Sequence, residues 1–248
     1  MINKITIIML TLMTVSIFGQ KAGIHHELNA SIVPQESSIS VIDEITISES
    51  ALNFDLTFKL HDALKVSTSK TVMLVKENVN AKDIGMDIDD ADSESKLKLN
   101  QYTVIIPEGH KGDFNFTLEY NGKIESPVEQ SEENYARGFS ESPGIISEIG
   151  IYLAGSTYWV AHFEDQMMSF NLTTTLPKGW KTVSVGKRTL DKVKDGLHID
   201  KWESPNPQEE VFLIAATFHE YSYPMGAVTA FAFLRTPDDG LANKYLET

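Results

Sequence analysis

The feature that most constrains the fold is a strict alternation of apolar and polar residues in the middle of the chain. One face of this run carries Phe170, Leu172, Thr174 and Leu176, and the residues between them are threonine or asparagine. A period of two is typical of a β-strand with one buried face, because successive side chains point to opposite sides. Residues 177–180 follow and predict a turn, since proline cannot donate to a ladder and glycine tolerates positive φ.

The same periodicity recurs along the chain between regularly spaced turns. Residues 52–60 alternate over their whole length, and Asn121-Gly122 predicts a hairpin turn. Further turns are predicted at residues 204–207 and 224–226. Other strands are predicted at residues 24–33, 38–47, 71–75, 97–106, 113–120, 182–187, 196–203, 211–218 and 227–234. The sequence therefore predicts an all-β fold, a large antiparallel β-sandwich of about a dozen strands.

Composition excludes several classes of function. Apolar residues make up 42% of the chain, which is enough for a sizeable core, and the net charge is −14. Phosphate neutralisation needs lysine and arginine, so this charge argues against nucleic acid and against an anionic membrane surface as partners. The sequence has no cysteine, which excludes disulfides, thiol catalysis and zinc–thiolate sites.

The first twenty residues predict a secretory signal peptide. Lys4 gives a short basic start, and residues 5–18 are apolar and uncharged. This run is too short to span a bilayer comfortably, so residues 1–20 are expected to be cleaved on export. The protein is then expected to be periplasmic or secreted, with no stable membrane span. An uncleaved signal anchor is the alternative.

No catalytic or metal-binding motif stands out in the sequence. A zincin site needs His-Glu-x-x-His, and only His219-Glu220 begins it, with Tyr223 where the second histidine should be. His25 and His26 are adjacent on a predicted strand, so they should point to opposite faces rather than chelate one metal. Residues 87–94 are acidic but lack the glycine of a calcium loop, which favours a solvated loop. Residues 124–147 are also acidic and predict a surface loop or a short helix.

Four short runs carry a resemblance to a known family. They are Tyr-Leu-Ala-Gly at 152–155, Tyr-Trp at 158–159, Leu-Pro-Lys-Gly-Trp at 176–180 and Val-Ser-Val-Gly at 183–186. Together they resemble the N-terminal domain of zinc aminopeptidases of the alanyl aminopeptidase (gluzincin) family. The resemblance implies a β-sandwich that precedes a catalytic domain. Zinc is then expected in that missing catalytic domain, and no cofactor is expected in this chain.

The resemblance also implies a substrate-binding loop just upstream of the aromatic pair. In the family, a Gln or Glu on this loop helps to hold the free amino group of the substrate. Glu148 is the nearest candidate here, and Tyr152 is predicted to line the same wall. The family's Gln-x-Glu pattern is absent, and Phe-Glu-Asp-Gln stands at 163–166 where Asp-Glu-Pro is usual. A solvated loop residue is the other interpretation of Glu148, and Trp159 and Trp180 are predicted to be core anchors.

The last residues predict the start of a helix. Thr236 suits the N-cap and Pro237 the first turn, and an apolar stripe that includes Leu241 and Tyr245 follows. Residues 21–235 are thus predicted to form the sandwich, and residues 236–248 to begin a helical linker to a missing downstream domain. A helix that packs back on the sandwich is the alternative.

The resemblance implies a non-catalytic N-terminal domain of an exported zinc aminopeptidase-like metallopeptidase. Its partners are then the downstream catalytic domain and, through that domain, a peptide substrate. The domain would pack on the catalytic domain and wall the peptide cleft, and alone it should be inactive. The alternative is a self-contained exported β-sandwich that binds carbohydrate or protein.

Overall fold

The computed structural model describes residues 22–52, 56–67, 71–80, 97–126, 144–226 and 228–246. Within them lie seventeen strands and one α-helix, so the all-β prediction is confirmed. In chain order the strands are β1 Ile24–Val33, β2 Ser38–Ile47, β3 Thr57–His61, β4 Leu64–Val66, β5 Val72–Asn80, β6 Lys98–Val104, β7 Phe114–Lys123, β8 Ile145–Ile146, β9 Ile151–Leu153, β10 His162–Phe163, β11 Met168–Pro177, β12 Lys181–Val183, β13 Lys187–Lys194, β14 Leu197–Gln208, β15 Leu213–Ala216, β16 His219–Met225 and β17 Val228–Leu234. The helix α1 spans Asp239–Leu246.

A seven-stranded sheet forms one layer, in the order β13-β14-β11-β1-β2-β7-β4. The strand predicted from the alternation of residues 169–176 is β11, and its side chains alternate between buried and half-buried as expected. The central strand β1 is antiparallel to β2 but parallel to β11. Every other strand pair among the described residues is antiparallel.

Two four-stranded sheets face this layer. Their orders are β10-β3-β6-β5 and β12-β15-β9-β8, and β16 pairs with β17 as a separate hairpin. One continuous apolar cluster joins the inner face of the large sheet to both four-stranded sheets. Members of this cluster include Leu28, Leu118, Leu172, Phe58 and Leu213. The result is the predicted sandwich, and the sheet that contains β9 is part of its second layer.

Asn121 and Gly122 do not form the predicted hairpin turn. Both lie inside β7, where Gly122 pairs with Ile39 of β2 and with Leu64 of β4. A Cβ atom at Gly122 would lie 2.0 Å from the carbonyl oxygen of Ala63. The glycine therefore permits a close approach between two chain segments, which is the other use of this residue in a strand.

Two further local predictions are corrected. Of the strand predicted at residues 52–60, residues 57–60 lie in β3 and residues 53–55 lie outside the described residues, whereas the amide of Leu52 closes a 3₁₀ turn onto the carbonyl of Glu49. The turn predicted at residues 204–207 lies within β14. There the pairing with β11 is irregular, and prolines are tolerated where the ladder is interrupted. The turn predicted at 224–226 corresponds to a reversal at Gly226, whose φ is 63°.

Several sequence predictions fall outside the described residues. They concern the signal segment 1–20, the acidic segment 87–94 and residues 127–143 of the acidic stretch. Of the rest of that stretch, Ile124 is buried and Ile145–Ile146 forms β8. In the part of the chain that the structure covers, no helix has the length and apolar character of a transmembrane segment.

Candidate functional site

The β8–β9 hairpin presents two side chains on a tightly closed turn. The amide of Ser147 donates to the carbonyl of Gly150 at 3.0 Å, and the amide of Gly150 donates back at 3.2 Å. The Ser147 hydroxyl also donates to the Gly150 carbonyl at 3.0 Å. Glu148 and Ile149 form the tip, and the side chain of Ile149 is 76% exposed. The turn is thus held by its own hydrogen bonds while its tip faces solvent.

An apolar groove runs along the outer face of the sheet behind this turn. Tyr152 pairs with Ile145 on one side and with Ile214 on the other, so the three side chains share a face. The groove has a volume of about 480 Å³, and Ile149 and Phe218 also line it. It therefore offers a surface for an apolar group next to the exposed turn.

Arg235 lies at the edge of this groove, directly after β17. Its Nη1 atom lies beside Gly150, 3.5 Å from the position that a Cβ would take there, which is an ordinary van der Waals distance. The guanidinium also lies over the ring of Phe218, 5.9 Å from the centroid. Phe218 in turn contacts Phe233 edge-on, with 5.8 Å between centroids. Arg235 is a functional candidate that the sequence did not reveal, because its neighbours are distant along the chain.

The structure places both sequence-predicted site residues on the β8–β9 hairpin. Tyr152 lines the groove. Glu148 is exposed at the turn and does not line the groove. Their predicted roles toward a peptide stay predictions.

The two tryptophans predicted to be core anchors are buried. Trp159 is 1% exposed, and its indole N–H donates to the carbonyl of Val211 at 2.8 Å. Trp180 is 5% exposed and belongs to the same core cluster. Neither ring offers a face to a ligand.

A cluster of charged side chains lies between the inner face of the β13–β14 edge and the β16–β17 hairpin. His198 Nε2 lies 2.9 Å from an oxygen of Asp191 and 3.0 Å from an oxygen of Asp200. The other Asp200 oxygen accepts a hydrogen bond from the Thr182 hydroxyl at 2.7 Å. The whole set, named here the charge cluster, consists of Lys181, Arg188, Asp191, His198, Asp200 and Glu220.

The two permanent cations of the charge cluster contact Asp191 as well. Lys181 donates to Asp191 at 2.8 Å, and Arg188 lies 3.6 Å away. Burial would raise the pKa of Asp191, but the Lys181 hydrogen bond and the charges of Lys181, Arg188 and His198 outweigh it and hold the pKa below its ordinary value. The Asp191, His198 and Asp200 ligand atoms lie close enough together to hold a metal. Because these atoms already contact a lysine, an arginine and each other, the geometry fits an ion-pair network.

A buried contact between a histidine and an aspartate lies deep in the sandwich. Asp43 of β2 contacts Nδ1 of His26 at 2.9 Å, and both side chains are fully buried. His25 points the other way, toward the Ser169 hydroxyl at 2.8 Å, which confirms that the two histidines lie on opposite faces. Burial and then the Asp43 charge raise the pKa of Tyr120 well above its ordinary value. This pair is closed off from solvent and has no access for a substrate.

Comparison with known proteins defines the class of fold. No protein-family model matches the sequence, and no curated protein is significantly similar to it. Solved structures of M1 zinc metallopeptidases do match, and this chain spans about half of their length. At the identities found, the likeness establishes the fold, and at that level the resemblance predicted from the sequence is confirmed.

Three of these structures show the extent of the match. An M1 zinc metallopeptidase from Deinococcus radiodurans has a TM-score of 0.55 at 16% identity, over 90% of this chain and 50% of that one. A two-domain M1 zinc metallopeptidase variant bound to L-arginine has a TM-score of 0.55 at 15% identity, with the same coverage. A Deinococcus radiodurans variant bound to a Tyr-Ser-Ala substrate has a TM-score of 0.54 at 15% identity, over 91% and 52%.

Proposed function

We propose that this chain is the non-catalytic N-terminal domain of an exported zinc aminopeptidase-like metallopeptidase. The observation that carries the proposal is the shared fold, which covers 90% of this chain but only 50% of the matched metallopeptidase. In this proposal the remaining half is a catalytic domain on the same polypeptide. Zinc and the hydrolytic step belong to that domain, and residues 1–20 direct export.

The β8–β9 hairpin is the part of this chain proposed to wall the peptide cleft. Its tip carries a carboxylate on Glu148 and an exposed apolar side chain on Ile149. A carboxylate suits the free ammonium of a peptide, because a charge-assisted hydrogen bond is stronger than a neutral one. Tyr152 then lines the wall from the groove. Each of these features fits contact with a peptide held by a second domain.

The C-terminal helix supports a packed downstream domain. In α1, Ala242 and Leu246 are buried, whereas Leu241 is 38% and Tyr245 64% exposed. Only half of the predicted apolar stripe is therefore buried, and the helix contacts the β16–β17 hairpin. A downstream domain that covers the other half accounts for the exposed residues, and residues 236–248 then begin the linker to it.

Reading the source DNA beyond the codon for Thr248 tests the domain assignment. A frame that continues into His-Glu-x-x-His with a downstream Glu supports the proposal. A stop codon at that point overturns it and favours the self-contained binding module, for which the apolar groove is the specific observation.

The role of Glu148 is tested in the full-length enzyme. Glu148→Gln is expected to raise KM for peptides with a free amino terminus by roughly tenfold, which corresponds to about 1.4 kcal/mol. The affinity for N-acetylated peptides, which lack the ammonium, should be the same in Glu148→Gln and in the parent. Glu44→Gln, an exposed carboxylate on the outer face of the large sheet, is the matched control. An unchanged KM for Glu148→Gln would remove this residue from the site.

A further inference from the structure

We propose that Arg235 makes the groove a binding site for the C-terminal carboxylate of a short peptide that ends in an apolar residue. The inference rests on the proposed function for its choice of a peptide as ligand. The apolar floor of the groove takes the last side chain, and the guanidinium takes the carboxylate. Glu148 serves the other charge, the ammonium of a free amino terminus.

The first argument is that Arg235 has no carboxylate partner among the described residues. Within the described residues it forms no ion pair, whereas Arg188 contacts both Glu220 and Asp191. The chain has 35 acidic and 21 basic residues, so carboxylates are in excess. An arginine with no carboxylate partner in this part of the chain has its fork of donors available for an external acid.

The second argument is that the guanidinium is held in place. Its Cζ lies over the ring of Phe218, 5.9 Å from the centroid, at cation–π distance. Nη1 also lies beside Gly150, 3.5 Å from the position that a Cβ would take there. A planar, pre-positioned guanidinium matches a carboxylate with two parallel hydrogen bonds and loses less side-chain entropy on binding.

The third argument is the chemistry of the groove beside it. Ile145, Tyr152 and Ile214 present one continuous apolar face, and the groove volume of about 480 Å³ is within the range of small-ligand sites. Burial of an aliphatic or aromatic side chain on this face is favourable by the hydrophobic effect. Glu148 and its neighbour Ile149 form the adjacent turn, so a ligand with a second negative charge is repelled there.

The test uses the purified chain and blocked amino acids that isolate each group. N-acetyl-L-phenylalanine carries the carboxylate and the apolar side chain. N-acetyl-L-phenylalanine amide has a neutral carboxamide in place of the carboxylate. Calorimetric titration at low salt is expected to show at least roughly tenfold tighter binding of the acid, about 1.4 kcal/mol. Methyl NMR signals of Ile145 and Ile214 should shift on binding. Equal binding of acid and amide, or no binding of the acid, overturns the proposal.

Variants assign the effect to one side chain. Arg235→Gln is expected to remove the preference for the acid while leaving the circular dichroism spectrum unchanged. Arg235→Lys should keep only part of the preference, because lysine lacks the planar fork. Lys187→Gln, on an exposed position of β13, is the control and should bind as the parent does. An acid preference that survives in Arg235→Gln overturns the assignment.

One further ligand distinguishes the source of the carboxylate. N-acetyl-L-aspartic acid 1-amide has a side-chain carboxylate and a blocked terminus. It is expected to bind more weakly than N-acetyl-L-phenylalanine, and equal or tighter binding overturns the choice of a C-terminal carboxylate. These titrations need no catalytic domain. Their failure would leave the proposed function to be decided by the reading frame beyond Thr248.

Discussion

Arg188 of β13 and Glu220 of β16 form a two-bond ion pair. Nη1 of Arg188 donates to Oε2 of Glu220 at 2.8 Å, and Nη2 also donates to Oε1. The guanidinium lies 5.8 Å from the ring centroid of Trp202 and 5.4 Å from that of Phe231. One side chain thus links the large sheet to both strands of the β16–β17 hairpin, and through them to α1.

Removing the charge of Glu220 should loosen this link. Glu220→Gln is expected to lower the free energy of unfolding by about 1–3 kcal/mol, because a partly buried guanidinium loses its partner. Urea denaturation followed by tryptophan fluorescence measures the change. Glu209→Gln is the control, because Glu209 is an exposed carboxylate outside the charge cluster. It should change stability by less than about 0.5 kcal/mol. Equal effects of the two variants would contradict the assigned link.

Gly122 should tolerate no side chain. In Gly122→Ala the new Cβ would lie 2.0 Å from the Ala63 carbonyl oxygen, a backbone atom that cannot move away cheaply. The free energy of unfolding is expected to fall by about 3 kcal/mol or more. Gly240→Ala is the matched control, since its nearest neighbour is at 3.5 Å and alanine favours a helix. A Gly122→Ala protein as stable as the parent in a thermal melt would be incompatible with this packing.

Asp238, and not the predicted Thr236, caps α1. Its carboxylate accepts a hydrogen bond from the amide of Leu241 at 2.8 Å, and its carbonyl accepts from the amide of Ala242 at 2.9 Å. Asp238→Ala should therefore cost the helix about 1 kcal/mol. Faster hydrogen exchange at the Leu241 amide reports this local loss. Thr236→Ala should leave that exchange rate unchanged, and the reverse result would restore the sequence prediction.

Acid should destabilise the protein partly through His162. Burial lowers its pKa, and Lys59 and His26 add to this while Glu164 opposes it. Between this lowered value and the ordinary value near 6.5, the unfolded chain binds more protons than the folded one. Stability therefore rises with pH through that window and falls on acidification. His162→Asn should show a smaller loss between about pH 7 and pH 5.5 in chemical denaturation.

The parent protein is the reference for this slope. An identical slope in His162→Asn and the parent would show that the proton uptake on unfolding occurs elsewhere.

The local part of the fold was predictable, and the long-range part was not. The alternation of Phe170, Leu172 and Leu176 is written in consecutive residues, so β11 was predicted correctly. The turn predicted at Gly122 was wrong, because this glycine is needed for a close contact with the backbone of Ala63, which belongs to another segment. A turn propensity describes only its own neighbours, and here a contact across strands decided the conformation.

The candidate site shows the same contrast between local and long-range features. Glu148 and Tyr152 were predicted as site residues from short runs of residues, and both lie on the β8–β9 hairpin. Arg235 and Phe218 belong to segments separated by the whole β16–β17 hairpin, so no local pattern joins them. Arg188 and Glu220 are likewise 32 residues apart. Charges that meet only after folding leave no periodic signal in a single sequence.

The parallel pairing of β1 with β11 sets the order in which the protein can assemble. Across this pair His25 contacts Ser169, 144 residues later in the chain. At ribosomal rates of about 5–20 residues per second, the first strand waits on the order of 10 s for that partner. During this time β1 can pair only with β2, and its other edge stays open to any extended chain nearby. The central sheet is therefore completed late in synthesis of the chain. The nascent chain is most exposed to aggregation just before β11 pairs with β1.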